Sequence, residues 1–550
     1  MDRNYRVPKS SIAAKLWTPG TYASPMAAVQ ARMFVRLLKE DLKSWAYDAN
    51  LAGLRYSLEM TTKGLQLSAG GWSSKVSLLL SKILGHIGEL LAEYRELGAL
   101  LTQEGSSQDG TGGGGAAAEG AVMSEGDPTR VREGSPTLTP RQELLLQRFE
   151  TSRDSFLRYY RNTAQDQPYE TADYYVRQVM EADVWHIDEY RQALEDENCT
   201  PSEMARQFDK ILGRMRVDVM AHGNVARKEA EELAGTIAAA LAQPEPLPEA
   251  ELPTRHALRL LAAGEEGPDG GGGGGGNGVV IVDLQAETEE EKNSAVQVYL
   301  QAAPGESNFD LSSALEFINI LGYTSAFQQL RTREQLGYMV YTQLERGPPG
   351  NVSPPSGTEG GEGSSGQGIH PGGPLAWSVV VQSPDKTPAE LEERVEAWIV
   401  EFRKELAEIS DEVFEDTVAS MSSSVLRRER SMREEASIFF GAIGSRTGDF
   451  YRRYRKAESY ARLSKEAVLA AFDQFFAPDA PSRRKLSVRV ASQRHARQGM
   501  GGEEQGGEGV ASGDGGKLVE GEGGGEAGGA VVLRSLEDIR AFKTRTPIYP

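Results

Sequence analysis

The sequence predicts an α+β protein of two homologous domains, each a mostly antiparallel sheet with helices packed on one face. Three observations carry that expectation. A glycine run at 270–276 divides the chain into two ordered blocks of similar length. Both blocks pass through the same order: strand, helix, paired strands, several helices, closing strand. The short stretches alternate with a period of two, whereas the long ones repeat apolar residues at helical spacing.

The first block opens on a β-like stretch at Ala14 to Trp17. Ser24-Pro25 follows, an N-cap residue before a first-turn proline. Val29, Met33, Phe34, Leu37, Leu38, Leu42 and Trp45 then form the apolar side of a long helix. Alternation at Leu54, Tyr56, Leu58 and Met60, then Leu65 and Leu67, reads as a hairpin. Helices are expected from Ser73 to Leu101, from Arg141 to Asn162 and on to Phe208. A strand at Arg216 to Met220 and a helix from Asn224 to about Leu241 close the block.

The second block places strands at Val279 to Leu284 and Ala295 to Leu300, and a helix from Asp310 to about Leu330. Paired strands follow at Tyr338 to Gln343 and Leu375 to Gln382. Helices are expected at Pro388 to Ile409, Asp411 to Arg427 and Glu429 to Ile443, and a strand at Lys485 to Val490. The 61 glycines of the 550 residues gather in a few runs. Four segments rich in Gly, Ser, Glu and Pro, at 104–140, 265–278, 347–374 and 496–529, are expected to be disordered, because they cannot bury enough apolar surface to offset chain entropy. The expected division is a domain at 1–262 with an insert at 104–140, a linker at 263–278, and a domain at 279–550 with inserts at 347–374 and 496–529.

The formal net charge of −20 argues against nucleic acid as the main ligand, since phosphate binding needs a basic face. No stretch approaches ~20 continuous apolar residues, so no membrane span is expected. The first ten residues, MDRNYRVPKS, lack the apolar core of a signal peptide. The single cysteine, Cys199, cannot form an internal disulfide, which suits a reducing, cytoplasmic setting. As a nucleophile Cys199 is disfavoured: no histidine is close in sequence, and Asp196, Glu195 and Glu197 would raise its pKa.

The most informative segment is Phe327-Gln328-Gln329-Leu330-Arg331-Thr332-Arg333-Glu334-Gln335-Leu336-Gly337-Tyr338. It reads as a helix ending at a left-handed Gly337 cap, followed by a strand beginning at Tyr338. Arg331 on the last turns and Tyr338 past the cap could face one space, where a fixed cation and a hydroxyl donor would hold a peptide carbonyl. The bland reading is a surface arginine and a half-buried strand tyrosine. The six histidines, at 86, 186, 222, 256, 370 and 495, never fall within five residues of one another. A catalytic zinc generally needs three protein ligands. His86 with Glu89 and His186 with Glu189 are i,i+3 pairs of the kind polar helices produce freely, and His222 reads as a strand-end residue.

Leu330-Arg331-Thr332-Arg333-Glu334-Gln335-Leu336-Gly337-Tyr338 closely resembles the Arg-x6-Tyr signature in the last domain of the insulinase (pitrilysin) family of zinc metallopeptidases. Leu51-Ala52-Gly53-Leu54 with Tyr56, and Ala221-His222-Gly223-Asn224, resemble that family's third domain. Ala480-Pro481-Ser482-Arg483-Arg484 resembles the fourth, without a role for its basic residues, and Phe542 to Pro550 resembles the family's C-terminus. Such enzymes have four homologous domains, two per bowl-shaped half, closing around a peptide.

The resemblance therefore implies the C-terminal, substrate-binding half of a zinc metalloendopeptidase that degrades peptides. Tyr338 would be catalytic, Arg331 would bind substrate, and Phe327 would line the substrate side-chain pocket. Zinc is implied for the complete enzyme and none for this chain, because the family's His-x-x-Glu-His motif is absent. The implied partners are peptide substrates and a zinc-bearing N-terminal half, from the same gene or a separate subunit. Because MDRNYRVPKS enters where the third domain begins, a split gene or truncated gene model is expected. The alternative is a catalytically inactive stand-alone subunit that binds peptides or scaffolds a complex.

Overall fold

The computed structural model describes residues 4–108, 138–163, 166–241, 244–265, 278–304, 308–347, 373–499, 517–518, 526–527 and 529–549. Most of each glycine-rich segment expected to be disordered lies outside the described residues. At their margins, helix continues to Gln108 and to Gly499, and the residues at 517–518 and 526–527 pair as short strands.

In chain order the elements are β1 (Lys9–Trp17), α1 (Pro25–Leu51), β2 (Arg55–Thr61), β3 (Gly64–Trp72), α2 (Ser73–Gln108), α3 (Pro140–Asn162) and α4 (Pro168–Met180). Next come α5 (Ile187–Glu195), α6 (Pro201–Gly213), β4 (Arg214–Gly223), α7 (Arg227–Ala240), β5 (Glu245–Pro246), β6 (Val279–Gln285), β7 (Ser294–Pro304) and α8 (Phe309–Ala326). A π-helical turn (Phe327–Arg333) leads to β8 (Val340–Arg346), β9 (Pro374–Ser383), α9 (Pro388–Ala407), α10 (Asp411–Val425), α11 (Met432–Gly444), α12 (Arg452–Ala461) and α13 (Lys465–Phe475). The chain ends through β10 (Lys485–Ala491), α14 (Gln493–Gly499), β11 (Lys517–Leu518), β12 (Glu526–Ala527), β13 (Ala530–Leu533) and α15 (Leu536–Arg545).

Packing groups the chain into two units: 1–158 with 189–253, and 159–188 with 254–550. The division drawn from sequence at 262 keeps α4 with the first block, whereas α4 lies in the second unit. Its apolar face, Ala172, Tyr175, Val176, Val179 and Met180, is buried with Val282, Leu284, Leu486 and Val488 of β6 and β10. A covalent neighbour is a weaker constraint than an apolar face needing cover.

In the first unit the sheet order is β2-β3-β1-β4-β5, antiparallel except for the β4–β5 pair. The Ser24 hydroxyl accepts from the Ala27 N–H at 3.1 Å and starts α1, with Pro25 in the first turn. The buried face of α1 includes Val29, Met33, Phe34, Leu37 and Leu38. Helices α1, α2 and α6 pack together and cover the sheet. The hairpin needs glycine at 64, because a Cβ there would meet the Leu16 carbonyl oxygen at 1.9 Å. The Trp17 indole N–H donates to Asp218 at 2.7 Å, and Leu247 and Leu252 pack with the ring.

In the second unit the order is β12-β13-β6-β10-β7-β9-β8, with the β6–β10 and β6–β13 pairs parallel. The stretch β8-β9-β7-β10 repeats β2-β3-β1-β4 strand for strand, so the duplication read from pattern is present in topology. Helices α8, α9 and α13 bury Trp377 among Trp398, Phe402, Phe472 and Phe476, with ring centroids 5.2–6.2 Å apart. Helices α12, α13 and α15 were not expected from the sequence. Each carries legible signals, such as the Ser464 cap of α13 and its buried Val468, Ala471, Phe472 and Phe475.

Candidate functional site

The site begins where α8 ends. Ala326 and Leu330 are fully buried, which ties the inner side of the chain to the core. The last turns widen to π-helical spacing over Phe327–Arg333. The Thr332 hydroxyl donates to the Phe327 carbonyl at 3.2 Å, and the Leu336 N–H donates to the Leu330 carbonyl at 3.0 Å. Single π-helical turns are rare and occur often at functional sites.

The left-handed residue at the helix end is Gln335, with φ of 54°, and Gly337 is not in that region. Gly337 is required for a different reason. A Cβ there would lie 1.8 Å from the Gln382 carbonyl oxygen, so only glycine lets the chain pass against β9. The strand begins at Val340, two residues later than expected, and leaves Tyr338 in the connection.

This geometry brings the three expected site residues together. The Arg331 guanidinium carbon lies 4.3 Å from the Tyr338 ring centroid and 4.5 Å from that of Phe327. Cation–π attraction to both rings holds a side chain that would otherwise sample many rotamers. Tyr338 is 77% exposed and Phe327 36% exposed. The result is an arginine in contact with two aromatic rings on the surface, with a phenol hydroxyl and guanidinium N–H groups as donors.

The helix end is also pinned from outside. Arg394 of α9 donates to both Glu334 carboxylate oxygens at 2.8 Å, and Gln329 Nε2 donates to Oε1 at 2.9 Å. These bonds, Arg394 foremost, hold the Glu334 carboxyl below its ordinary range. Nothing in the local sequence signals this partner, which lies 60 residues away.

The other sequence candidates resolve into structural roles. His86 lies 2.7 Å from Asp41 and 3.1 Å from Glu89. Arg141 and Arg148 also converge on Asp41. These contacts bind α1, α2 and α3 to one another. His186 is buried beside Tyr174 and Tyr175. His222 lies on β4, paired with Ser11 of β1, and is half-buried. Among the described residues, no group of three or more His, Cys, Asp or Glu could hold a metal ion; His370 lies outside them.

Cys199 is buried, and its thiol is pushed up to about 11, chiefly by that burial and only secondarily by neighbouring carboxylates. It is not a thiolate near neutral pH.

The basic run at 483–485 has partners. Arg483 donates to both oxygens of Glu396 at 2.9 and 2.7 Å, Lys485 to Glu396 at 2.6 Å, and Arg484 to Glu265 at 3.2 Å. Burial would raise Glu392, but Lys485 and Arg489 outweigh it and bring it down to about 2. The run anchors β10 to α9, and its charge is spent within the fold.

Residues 1–98 match the family described as the middle or third domain of peptidase M16, and residues 372–440 match the PqqF-like C-terminal lobe domain 4. Insulin-degrading enzyme of Homo sapiens is 24% identical over 492 residues, covering 89% of this chain and 39% of that protein. The chain is similar to the C-terminal half of insulinase-type (M16) peptidases. It spans about two fifths of the length of the curated family members it matches. The structure of pitrilysin superposes over 99% of this chain and 44% of its own, with a TM-score of 0.67 at 16% identity. A Pseudomonas fluorescens structure described as a peptidase M16 inactive domain matches 89% of this chain and 94% of its own, with a TM-score of 0.52 at 12% identity. These likenesses establish the insulinase-family fold. Among the described residues no helix is long and apolar enough to cross a membrane.

Proposed function

We propose that this chain is the substrate-holding half of an insulinase-type zinc metalloendopeptidase, acting on peptides with Arg331, Tyr338 and Phe327. The observation that supports it most is the cluster itself: a guanidinium 4.3 Å from one exposed aromatic ring and 4.5 Å from another. Arg331 offers donors to a peptide backbone carbonyl. The Tyr338 hydroxyl offers one to a carbonyl oxygen as negative charge grows on it, an interaction stronger in the transition state than in the ground state. Phe327 presents an apolar face for a substrate side chain.

Among the described residues no group of His, Cys, Asp or Glu offers a zinc ligand set. Zinc, which in such peptidases supplies the activated water, would be held by a partner N-terminal half. A cytoplasmic setting is part of the same proposal, supported by the lone cysteine.

The second reading is a stand-alone inactive subunit, favoured by the Pseudomonas fluorescens protein of nearly the same extent. The test is co-expression with a zinc-bearing insulinase half, co-purification, and turnover of a quenched fluorescent decapeptide. Tyr338→Phe in the co-purified complex is expected to lose ~10²–10³ in rate, the usual cost of removing one oxyanion-side donor. Retention of more than half the turnover rejects the catalytic assignment, and absence of any complex favours the inactive subunit.

A further inference from the structure

We infer that Gln382 and the first turn of α4 position Tyr338; the inference deepens the reading of Tyr338 as a substrate-facing donor and rests on it. Tyr338 is exposed and has no side-chain packing in the core to fix it. Its place is set by its two neighbours, and both register against one residue. Gly337 passes so close to the Gln382 carbonyl that a Cβ would stand 1.8 Å away. On the other side, the Gln382 N–H donates to the Met339 carbonyl at 3.0 Å. The backbone of Gln382 therefore brackets the tyrosine.

The side chain of Gln382, almost fully buried, turns to α4. Its Oε1 accepts the Tyr169 N–H at 3.2 Å, and its Nε2 donates to Gln167 Oε1 at 3.2 Å. Tyr169 is the second helical residue after the Gln167 cap, and helix-start N–H groups such as this one have no partner within the helix. A residue of β9 satisfies it. The Tyr169 ring then meets Tyr341 edge-on, with centroids 6.5 Å apart and planes at 88°. Gln382 and the Tyr341 ring thus link the start of α4 to the segment on either side of Tyr338. Movement of α4 along the sheet would carry the bracket with it, and a displacement of about 1 Å at a reacting group can cost ~10²-fold in rate.

The test is amide hydrogen exchange on the full chain, comparing wild type with Gln382→Ala and Gln382→Glu. Gln382→Ala is expected to speed exchange about 10-fold at Tyr169 and across residues 336–341, the equivalent of one lost hydrogen bond. The β7 strand and the Trp377 core are expected to be unchanged. Gln382→Glu keeps an acceptor for the Tyr169 N–H and is expected to restore its protection.

Unchanged exchange at 336–341 in Gln382→Ala overturns the inference. So does loss of protection spreading through β7 and α9, which would mark Gln382 as an ordinary core residue. In the co-purified complex, Gln382→Ala is expected to lower the kcat for the decapeptide with KM changed less than twofold. If that complex is inactive in wild type, the substrate-holding reading fails, while the exchange result still decides the positioning.

Discussion

The two units share the strand order of four consecutive strands, yet they pass from their first long helix to the next strand in different ways. In the first unit α1 gives way to β2 through 52–54, with Gly53 left-handed at φ of 79° and a Cβ position 3.0 Å from the Trp72 indole nitrogen. In the second, the corresponding connection runs from 327 to 339. It contains the π-helical turn, a left-handed Gln335 and the close passage of Gly337. The shorter turn only reverses the chain. The longer one carries two exposed aromatic rings that share contact with one arginine. A duplicated fold thus leaves the sheet intact while its connections differ, because side chains on a connection can be exchanged without disturbing the core.

The largest expected effect concerns the carboxylates that anchor helices in each unit. Asp41 in the first unit is held below the ordinary carboxylate range, chiefly by Arg141, and Glu392 in the second is brought down to about 2. For both, the folded-state value lies below the unfolded one. Each therefore contributes stability that is complete above the unfolded value and lost as pH falls through the folded one. For Glu392, from an ordinary 4.5 to about 2, that contribution is on the order of 3 kcal/mol. Urea denaturation between pH 6 and about 2 should show the second unit losing stability over this window. Glu392→Gln should flatten its curve, whereas Asp41→Asn should flatten that of the first unit. Unaltered slopes would show that these pairs do not anchor the helices.

The turns themselves should respond unequally. Gly337→Ala forces a Cβ into the Gln382 backbone and is expected to cost about 2–3 kcal/mol, as overpacking against an immovable neighbour does. Gly53→Ala strains a left-handed residue and meets only the exposed Trp72 side chain, which can shift, for about 1 kcal/mol. Equal losses in urea midpoints would erase the distinction between the turns. Arg394→Ala, which leaves Glu334 with Gln329 alone, is expected to cost about 1 kcal/mol, because the pair is partly exposed. Its effect should be confined to the second unit's transition.

Smallest of all, Tyr338→Phe should leave stability within about 0.5 kcal/mol, since the side chain is mostly in solvent. A larger loss would make Tyr338 a structural residue and align the second turn with the first.

The neighbourhood of the three candidate residues was legible in the sequence. Phe327, Arg331 and Tyr338 were named from one contiguous segment and from family resemblance, and the structure brings them together. What was misread there was the backbone: Gly337 was expected as a left-handed cap, but its glycine answers a collision with a strand 45 residues later. Long helices such as α1 and α2 were legible because many apolar residues repeat on one face. Helices α12, α13 and α15 were missed because each is short and its period covers only a few turns.

By itself the sequence determined the class of the fold and its duplication, since both depend on local periodicity, and it nominated the candidate site residues through a short motif and a family resemblance. Tertiary structure alone decided which unit α4 joins, which carboxylates neutralise Arg483, Arg484 and Lys485, and which strand backbone lies against Gly337 and Met339. These depend on apolar faces and charges seeking partners far along the chain, and a buried face or charge selects its partner by proximity in space, which sequence separation does not record.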